Sequence, residues 1–245
     1  MKLLIDIGNT ATKFAYIDQK SFSYLFRIYN FEISEQKIKE LFSSFDYEEI
    51  YVSSVAPKVY EKLDQIFLSL FNKRIKKIDL SYNNVIKINI DNPSELGVDL
   101  LCDLVAAKEK YDHSVAVIDF GTATKILFID QKGEFSSCAI FLGFSESKKI
   151  LSSSTELLPN VSSDYVKKIS ESHNTVDVIN SSAYYSQLYS VKGIIKKYEE
   201  ETGIKLKLIV TGGNGKDFYS EFKNNEIEES LSLQGLAILI RGKQQ

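Results

Sequence analysis

The strongest constraint on this fold is a short pattern that the chain spells twice. Leu3-Leu4-Ile5-Asp6-Ile7-Gly8-Asn9-Thr10-Ala11-Thr12-Lys13 and Ile118-Asp119-Phe120-Gly121-Thr122-Ala123-Thr124-Lys125 read alike once Asn9 is dropped. The alignment pairs Asp6 with Asp119, Gly8 with Gly121, Lys13 with Lys125, and Asp18 with Asp130. Each copy reads as strand, tight polar turn, strand. Leu3 to Ile7 is an apolar run of strand length. Gly8 and Asn9 supply turn residues that tolerate positive φ, and Phe14 to Ile17 resumes a β-rich run. Two copies, each opening about half of the 245 residues, argue for a duplicated domain. The expected division is residues 1–114 and 115–245.

A carboxylate inside an apolar strand is costly unless something partners it. The turn after Asp6 exposes backbone N–H groups and the hydroxyls of Thr10 and Thr12. Such a turn suits phosphate oxygens, with Asp6 on Mg²⁺. The plainer reading is an ordinary hairpin with a stray Asp. The repeat weighs against it: two such hairpins facing across a cleft would put Asp6, Asp119 and two phosphate turns around one nucleotide. The pattern resembles the sugar kinase, Hsp70 and actin superfamily. That resemblance implies an α/β, actin-like ATPase fold of two ribonuclease-H-like domains, each with a mixed five-stranded sheet.

Composition excludes several other classes. An apolar fraction of 44% is enough for a core in each half, and a net charge of −3 gives no footprint for nucleic acid or an anionic membrane. No apolar run has the length of a membrane span, and the N-terminus does not read as a signal peptide. Cys102 and Cys138 lack metal-like spacing and are expected to be buried free thiols of a cytoplasmic protein. Neither G-x-x-x-x-G-K-[ST] nor G-x-G-x-x-G occurs, nor does the G-x-S-x-G of a hydrolase.

Along the first half, a third strand is expected over 21–28, a helix over 34–45, a strand over 49–55, a helix opened by Pro57, and a strand over 75–80. A helix reaching Tyr111 follows, with Ser94 as its expected N-cap; it is apolar nearly all round and therefore buried. Asp99 and Asp103 sit four apart on it and share a side. Asp99 reads equally as a helix-dipole partner or as a general base projecting into a cleft. In the second half, strands are expected over 135–142 and 206–210, and helices over 145–151 and 231–240. The longest helix is expected from Asn174, its N-cap, to Gly203. Its Tyr184, Tyr185, Leu188 and Tyr189 exceed what one buried stripe needs, which points to an interface. Gly212-Gly213 at a strand exit would let a flat ring approach the backbone, although such pairs commonly mark turns.

The full set of motifs resembles the type III pantothenate kinase family. The ordered matches are Asp6-Ile7-Gly8-Asn9-Thr10 with Lys13, Ser53-Ser54-Val55-Ala56-Pro57, Asn92-Pro93 with Leu96-Gly97-Val98-Asp99, Asp119-Phe120-Gly121-Thr122-Ala123-Thr124, Leu158-Pro159, Asn174-Thr175 and Thr211-Gly212-Gly213. The resemblance implies ATP-dependent phosphorylation of pantothenate, the first step of coenzyme A synthesis, by a homodimer that uses Mg²⁺ and a monovalent cation such as K⁺ or NH₄⁺. It implies that Asp6 and Asp119 serve the metal. Gly8, Asn9, Thr10, Lys13, Gly121, Thr122 and Ala123 would face phosphates. Gly212 and Gly213 would flank adenine, and Asp99 would be the base. Gly97, Val98 and Thr175 would meet pantothenate, Thr175 from the neighbouring subunit.

The departures lie mainly on the acceptor side. Leu100 stands where the family has Arg, Ile90 where it has Tyr, and Leu142 where its Gly-Gly-x-Ile-x-Pro-Gly has Pro. The cation-binding Asp of the second phosphate motif is replaced in Lys125-Ile126-Leu127, and the Lys125 ammonium is a candidate stand-in for the monovalent cation. Two other readings therefore stand beside pantothenate kinase: a nucleotide-binding regulatory relative without turnover, and a kinase of another small hydroxyl substrate.

Overall fold

The computed structural model describes residues 1–18, 21–162 and 166–242. The first repeat folds as β1 (Lys2–Ile7) and β2 (Ala11–Ile17), an antiparallel pair extended by β3 (Phe22–Tyr29). β4 (Glu49–Ser54) lies parallel to β1, and β5 (Ile75–Lys77) parallel to β4, giving a mixed five-stranded sheet ordered β3-β2-β1-β4-β5. The second repeat starts the same construction. β6 (Val115–Phe120) and β7 (Ala123–Ile129) form its hairpin, β8 (Phe135–Leu142) extends it, and β9 (Lys207–Thr211) and β10 (Glu226–Ile227) add parallel strands. The resulting order, β10-β9-β6-β7-β8, is the first sheet's order again. The expected duplicated ribonuclease-H-like architecture is therefore the fold observed.

Strand periodicity decides what faces what. Leu3, Ile5 and Ile7 alternate along β1 and bury against α1 (Glu35–Phe42) and α2 (Pro57–Phe71), through Ile38, Phe42, Leu63 and Phe67. Leu4 and Asp6 hold the other parity. On that side α3 (Val98–Tyr111) packs on α6 (Leu231–Gly242), α6 on β1, and α3 on β4. In the second unit Ala116, Ile118 and Phe120 of β6 bury against α4 (Phe144–Ser153) and α5 (Thr175–Thr202), through Phe144, Tyr184, Leu188 and Val191.

Local signals explain most boundaries. The Asn174 side chain accepts from the Asp177 N–H at 3.0 Å, and Gly203 closes α5 at φ 70°. Asn72 closes α2 in the left-handed region at φ 53°. Ser94 does not cap α3, however. Asn92 accepts from the Ser94 N–H, and residues 93–95 close into a separate 3₁₀ turn, so α3 begins after Gly97. The two-residue β10 is too short to carry a periodic pattern.

Two compact units emerge. One joins Met1–Asp112 with the stretch from Ser230 onward; the other is His113–Glu229. The closing helix thus belongs with the first unit, whereas the division at 114/115 assigns it to the second half. The reason is Gly235, whose missing side chain lets α6 settle onto the Cys102 carbonyl; a Cβ there would stand 1.8 Å from that oxygen. Cys102 is buried as expected, but Cys138 is exposed. It lies on the outward parity of edge strand β8 with Ile140 and Leu142.

Candidate active site

In the first unit the alternation along β1 delivers Asp6 to the α3–α6 side, near the strand's end. Asp6 stands opposite Lys13 on β2 and Ser53 on β4, and is only 9% exposed. Ser232, in the first turn of α6, donates its hydroxyl proton to Asp6 Oδ2 at 2.6 Å. The turn that follows, Gly8-Asn9-Thr10, is held from behind by Asn30. The Asn30 side chain donates to Gly8 O at 2.9 Å and Asn9 O at 3.0 Å, its N–H donates to Thr10 O at 3.0 Å, and its Oδ1 accepts from the Thr12 hydroxyl at 2.8 Å. With those carbonyls engaged, Asn9 and Thr10 remain exposed at the tip. Gly8 is not in the left-handed region; what it supplies is closeness, since a Cβ would lie 3.3 Å from Ala11 O.

Asp99 is the second residue of α3, and Gly97 is its N-cap at φ −63°. The carboxylate folds back over the cap: a Cβ on Gly97 would stand 2.5 Å from Asp99 Oδ1. Val98 begins the helix between them. Burial, then the charges of Asp6 and Asp103, push the Cys102 thiol well above its ordinary range, with Asp99 adding to the rise. Three carboxylates of the first unit therefore bear on one buried thiol.

The second unit repeats the hairpin with a shorter turn. Asp119 stands opposite Lys125, and their side chains pair at 3.0 Å. Gly121-Thr122 makes the turn, and the N–H of Gly143 donates to Thr122 O at 3.0 Å, as that of Asn30 does to Thr10 O. Gly143 thus stands at the second hairpin where Asn30 stands at the first, with no side chain. A Cβ at Gly143 would sit 2.3 Å from Gly121 O and 2.5 Å from Thr122 O. Ala123 opens β7 immediately after. Gly212, at φ 100°, presses the β9 exit onto this hairpin; a Cβ there would lie 2.5 Å from Asp119 Oδ1 and from both Phe120 N and O. Asn214 completes the seam, its N–H donating to Phe120 O at 2.8 Å and its side chain to Gly121 O at 3.2 Å. Gly213 is exposed beside it, and Thr175 is exposed at the start of α5.

Residues 2–197 match the sequence model of the type III pantothenate kinase family. The chain belongs to that family. Proteins named type III pantothenate kinase include one from Persephonella marina, 30% identical over 247 residues and covering 96% of each chain. Another, from Sulfurihydrogenibium sp., is 31% identical and covers 98% of this chain and 99% of its own. Among solved structures, a Campylobacter jejuni protein described as a Baf family transcriptional activator superposes with a TM-score of 0.60 at 20% identity, covering 99% of this chain and 98% of that one. Component A of the (R)-2-hydroxyglutaryl-CoA dehydratase of Acidaminococcus fermentans gives 0.54 at 16% identity, covering 99% and 98%. Those two structures show the shared fold.

Against the type III pantothenate kinase pattern, the departures have visible consequences. Leu100 is buried in α3, so its position offers no cation beside Asp99. Lys125 spends its charge on Asp119. Among the described residues no group of three or more His, Cys, Asp or Glu side chains gathers as a metal centre. Three supports escaped the sequence pattern: Asn30, Ser232 and Asn214. A lone Asn or Ser carries no period, and each acts on a turn or strand far along the chain. The second hairpin's Gly143 was visible only as part of a departing motif.

Proposed function

We propose that this type III pantothenate kinase family member transfers the γ-phosphoryl group of ATP to the hydroxyl of pantothenate, opening coenzyme A synthesis. The observation that carries the reading is Asp99. A family match across residues 2–197 comes with a carboxylate held over the start of α3 by an unsubstituted Gly97. A binding protein without turnover has no need of that base. Phosphoryl transfer asks the protein for positioning, charge neutralisation and proton removal. In this reading Asp99 takes the hydroxyl proton, Asp6 holds Mg²⁺, and Gly8, Asn9, Thr10 and Lys13 meet phosphate oxygens, as do Gly121, Thr122 and Ala123. Gly212 and Gly213 flank adenine, while Gly97, Val98 and a neighbouring subunit's Thr175 meet pantothenate. The buried Asp6 carboxylate fits a hard cation that takes its remaining ligands from phosphate and water. Asp119 is assigned to Lys125 instead of a metal, which supports Lys125 as a stand-in for K⁺ or NH₄⁺.

The assembly we propose is a homodimer using α5. Tyr184 and Leu188 are spent on the core of their own unit, so the case rests on the exposed Val176, Val178 and Tyr189. Among the described residues no helix is long and apolar enough to cross a membrane, and a cytoplasmic location remains part of the proposal. The buried Leu100 favours a second reading, a kinase acting on a less anionic alcohol. One coupled ADP-release assay separates the two. Release stimulated by pantothenate supports the first; release stimulated only by other small alcohols supports the second; none with any alcohol refutes both.

A further inference from the structure

The closing helix meets both chemistry-bearing elements of the first unit. Its first turn brings the Ser232 hydroxyl to Asp6 Oδ2 at 2.6 Å, in a contact buried on both sides. One turn on, Gly235 lies against the Cys102 carbonyl of α3, the helix that starts with Asp99. The terminal torsion of an Asp is broad, so a carboxylate on a strand is free to turn about its own axis unless something holds an oxygen. A hydrogen bond to an ionised carboxylate is among the stronger ones available.

We infer that Ser232 is a positioning residue for Asp6, fixing the plane of the carboxylate that takes the metal of Mg²⁺·ATP. The inference rests on the kinase reading above. Mg²⁺ demands near-octahedral geometry, so a carboxylate ligand serves it well only in one orientation. Ser232 ties one oxygen and Gly235 seats the helix that carries the hydroxyl. The two therefore work as a unit, although only Ser232 touches Asp6.

The test uses the full chain, with Ser232→Ala and Ser232→Thr, titrated calorimetrically with a non-hydrolysable ATP analogue in excess Mg²⁺ and in EDTA. Removing a partner that orients a metal ligand weakens metal affinity by about 10- to 100-fold. Ser232→Ala should lose that factor in Mg²⁺ and nothing in EDTA. Ser232→Thr, which keeps the hydroxyl, should restore it. In steady state the apparent KM for Mg²⁺ should rise while kcat at saturating Mg²⁺ holds. Should Ser232→Ala fail to fold, Ser232→Cys, similar in size with a weaker donor, should show the same loss in smaller degree. An alanine or cysteine variant that melts earlier yet keeps the unaltered chain's Mg²⁺ dependence would reduce Ser232 to a tether and overturn the proposal. An unaltered chain without Mg²⁺-dependent nucleotide affinity would overturn both it and the kinase reading. An unaltered chain with that affinity, but inactive on pantothenate, would sink the substrate assignment and leave Ser232 supported by its own titration.

Discussion

Gly97→Ala offers a way to move one carboxylate while leaving the backbone alone. At φ −63° Gly97 is already where any residue can sit, so alanine meets no strain. Its Cβ, however, would stand 2.5 Å from Asp99 Oδ1, and ordinary contact begins at 3.4 Å. The oxygen must retreat by about 0.9 Å, and with Asp99 as the proposed base a displacement of that size costs about 10²-fold in rate. That corresponds to about 2.7 kcal/mol of lost transition-state stabilisation. Stability should barely change. Alanine caps a helix less well than glycine, but it also narrows the unfolded ensemble, and the two terms offset to within about 0.5 kcal/mol. The measurement is kcat in the ADP-release assay, beside a denaturant melt and nucleotide titration. Asp99→Asn should fall further, by about 10²–10⁴-fold, with the same nucleotide affinity. A Gly97→Ala protein that folds and turns over at the unaltered rate would show that Asp99 only partners the helix dipole.

Gly212→Ala should be destabilising by at least about 2 kcal/mol, because φ 100° disfavours a side chain and the obstructing atoms are backbone. Gly193→Ala, in mid-helix with open space around it, should instead stabilise by about 0.5–1 kcal/mol; paired urea melts read both. Replacing K⁺ with a larger inert cation should leave the rate unchanged if Lys125 fills the cation's role, and strict K⁺ dependence would remove that idea. Lys125→Met should lower stability by about 1–3 kcal/mol, through the partner it takes from Asp119. Burial, with Glu221 adding, raises the Tyr184 phenol from 10.0 to about 12. Its contribution to stability is therefore full below pH 10 and lost as pH climbs through about 12, where the unfolded chain alone has already ionised. Tyr184→Phe should flatten that part of the alkaline decline in denaturant midpoint.

What the sequence made legible was whatever repeats or alternates. The doubled hairpin announced both sheets because each of the two like strand–turn–strand patterns has one register that buries its apolar parity, Leu3, Ile5 and Ile7 or Ala116, Ile118 and Phe120. Asn174 and Gly203 marked α5 because caps act on neighbours in the chain. Long-range contacts were not legible. The hydroxyl of Ser232 reaches Asp6 across most of the chain, and the amide of Asn30 grips a turn from the end of β3. Gly97 and Asp99 stand out in the sequence as candidates, but the fold-back of the carboxylate over the cap is a rotamer choice that no residue pattern encodes. The aromatic surplus of α5 divides in a way that periodicity does not reveal: Tyr184 packs in the core of its own unit, whereas Tyr189 is exposed.

The placement of α6 sets an order on synthesis. The second unit is one unbroken segment, His113–Glu229, so all its residues emerge from the ribosome together and can collapse as they arrive. The first unit is made earlier but must wait. Until Leu231–Gly242 appears, the face of α3 around Cys102 has no Gly235 against it and Asp6 has no Ser232. The part translated first is therefore the part completed last. Its unfinished apolar face stays open for the whole time that the second unit takes to be made, which is when a nascent chain is most exposed to chaperones and to its neighbours.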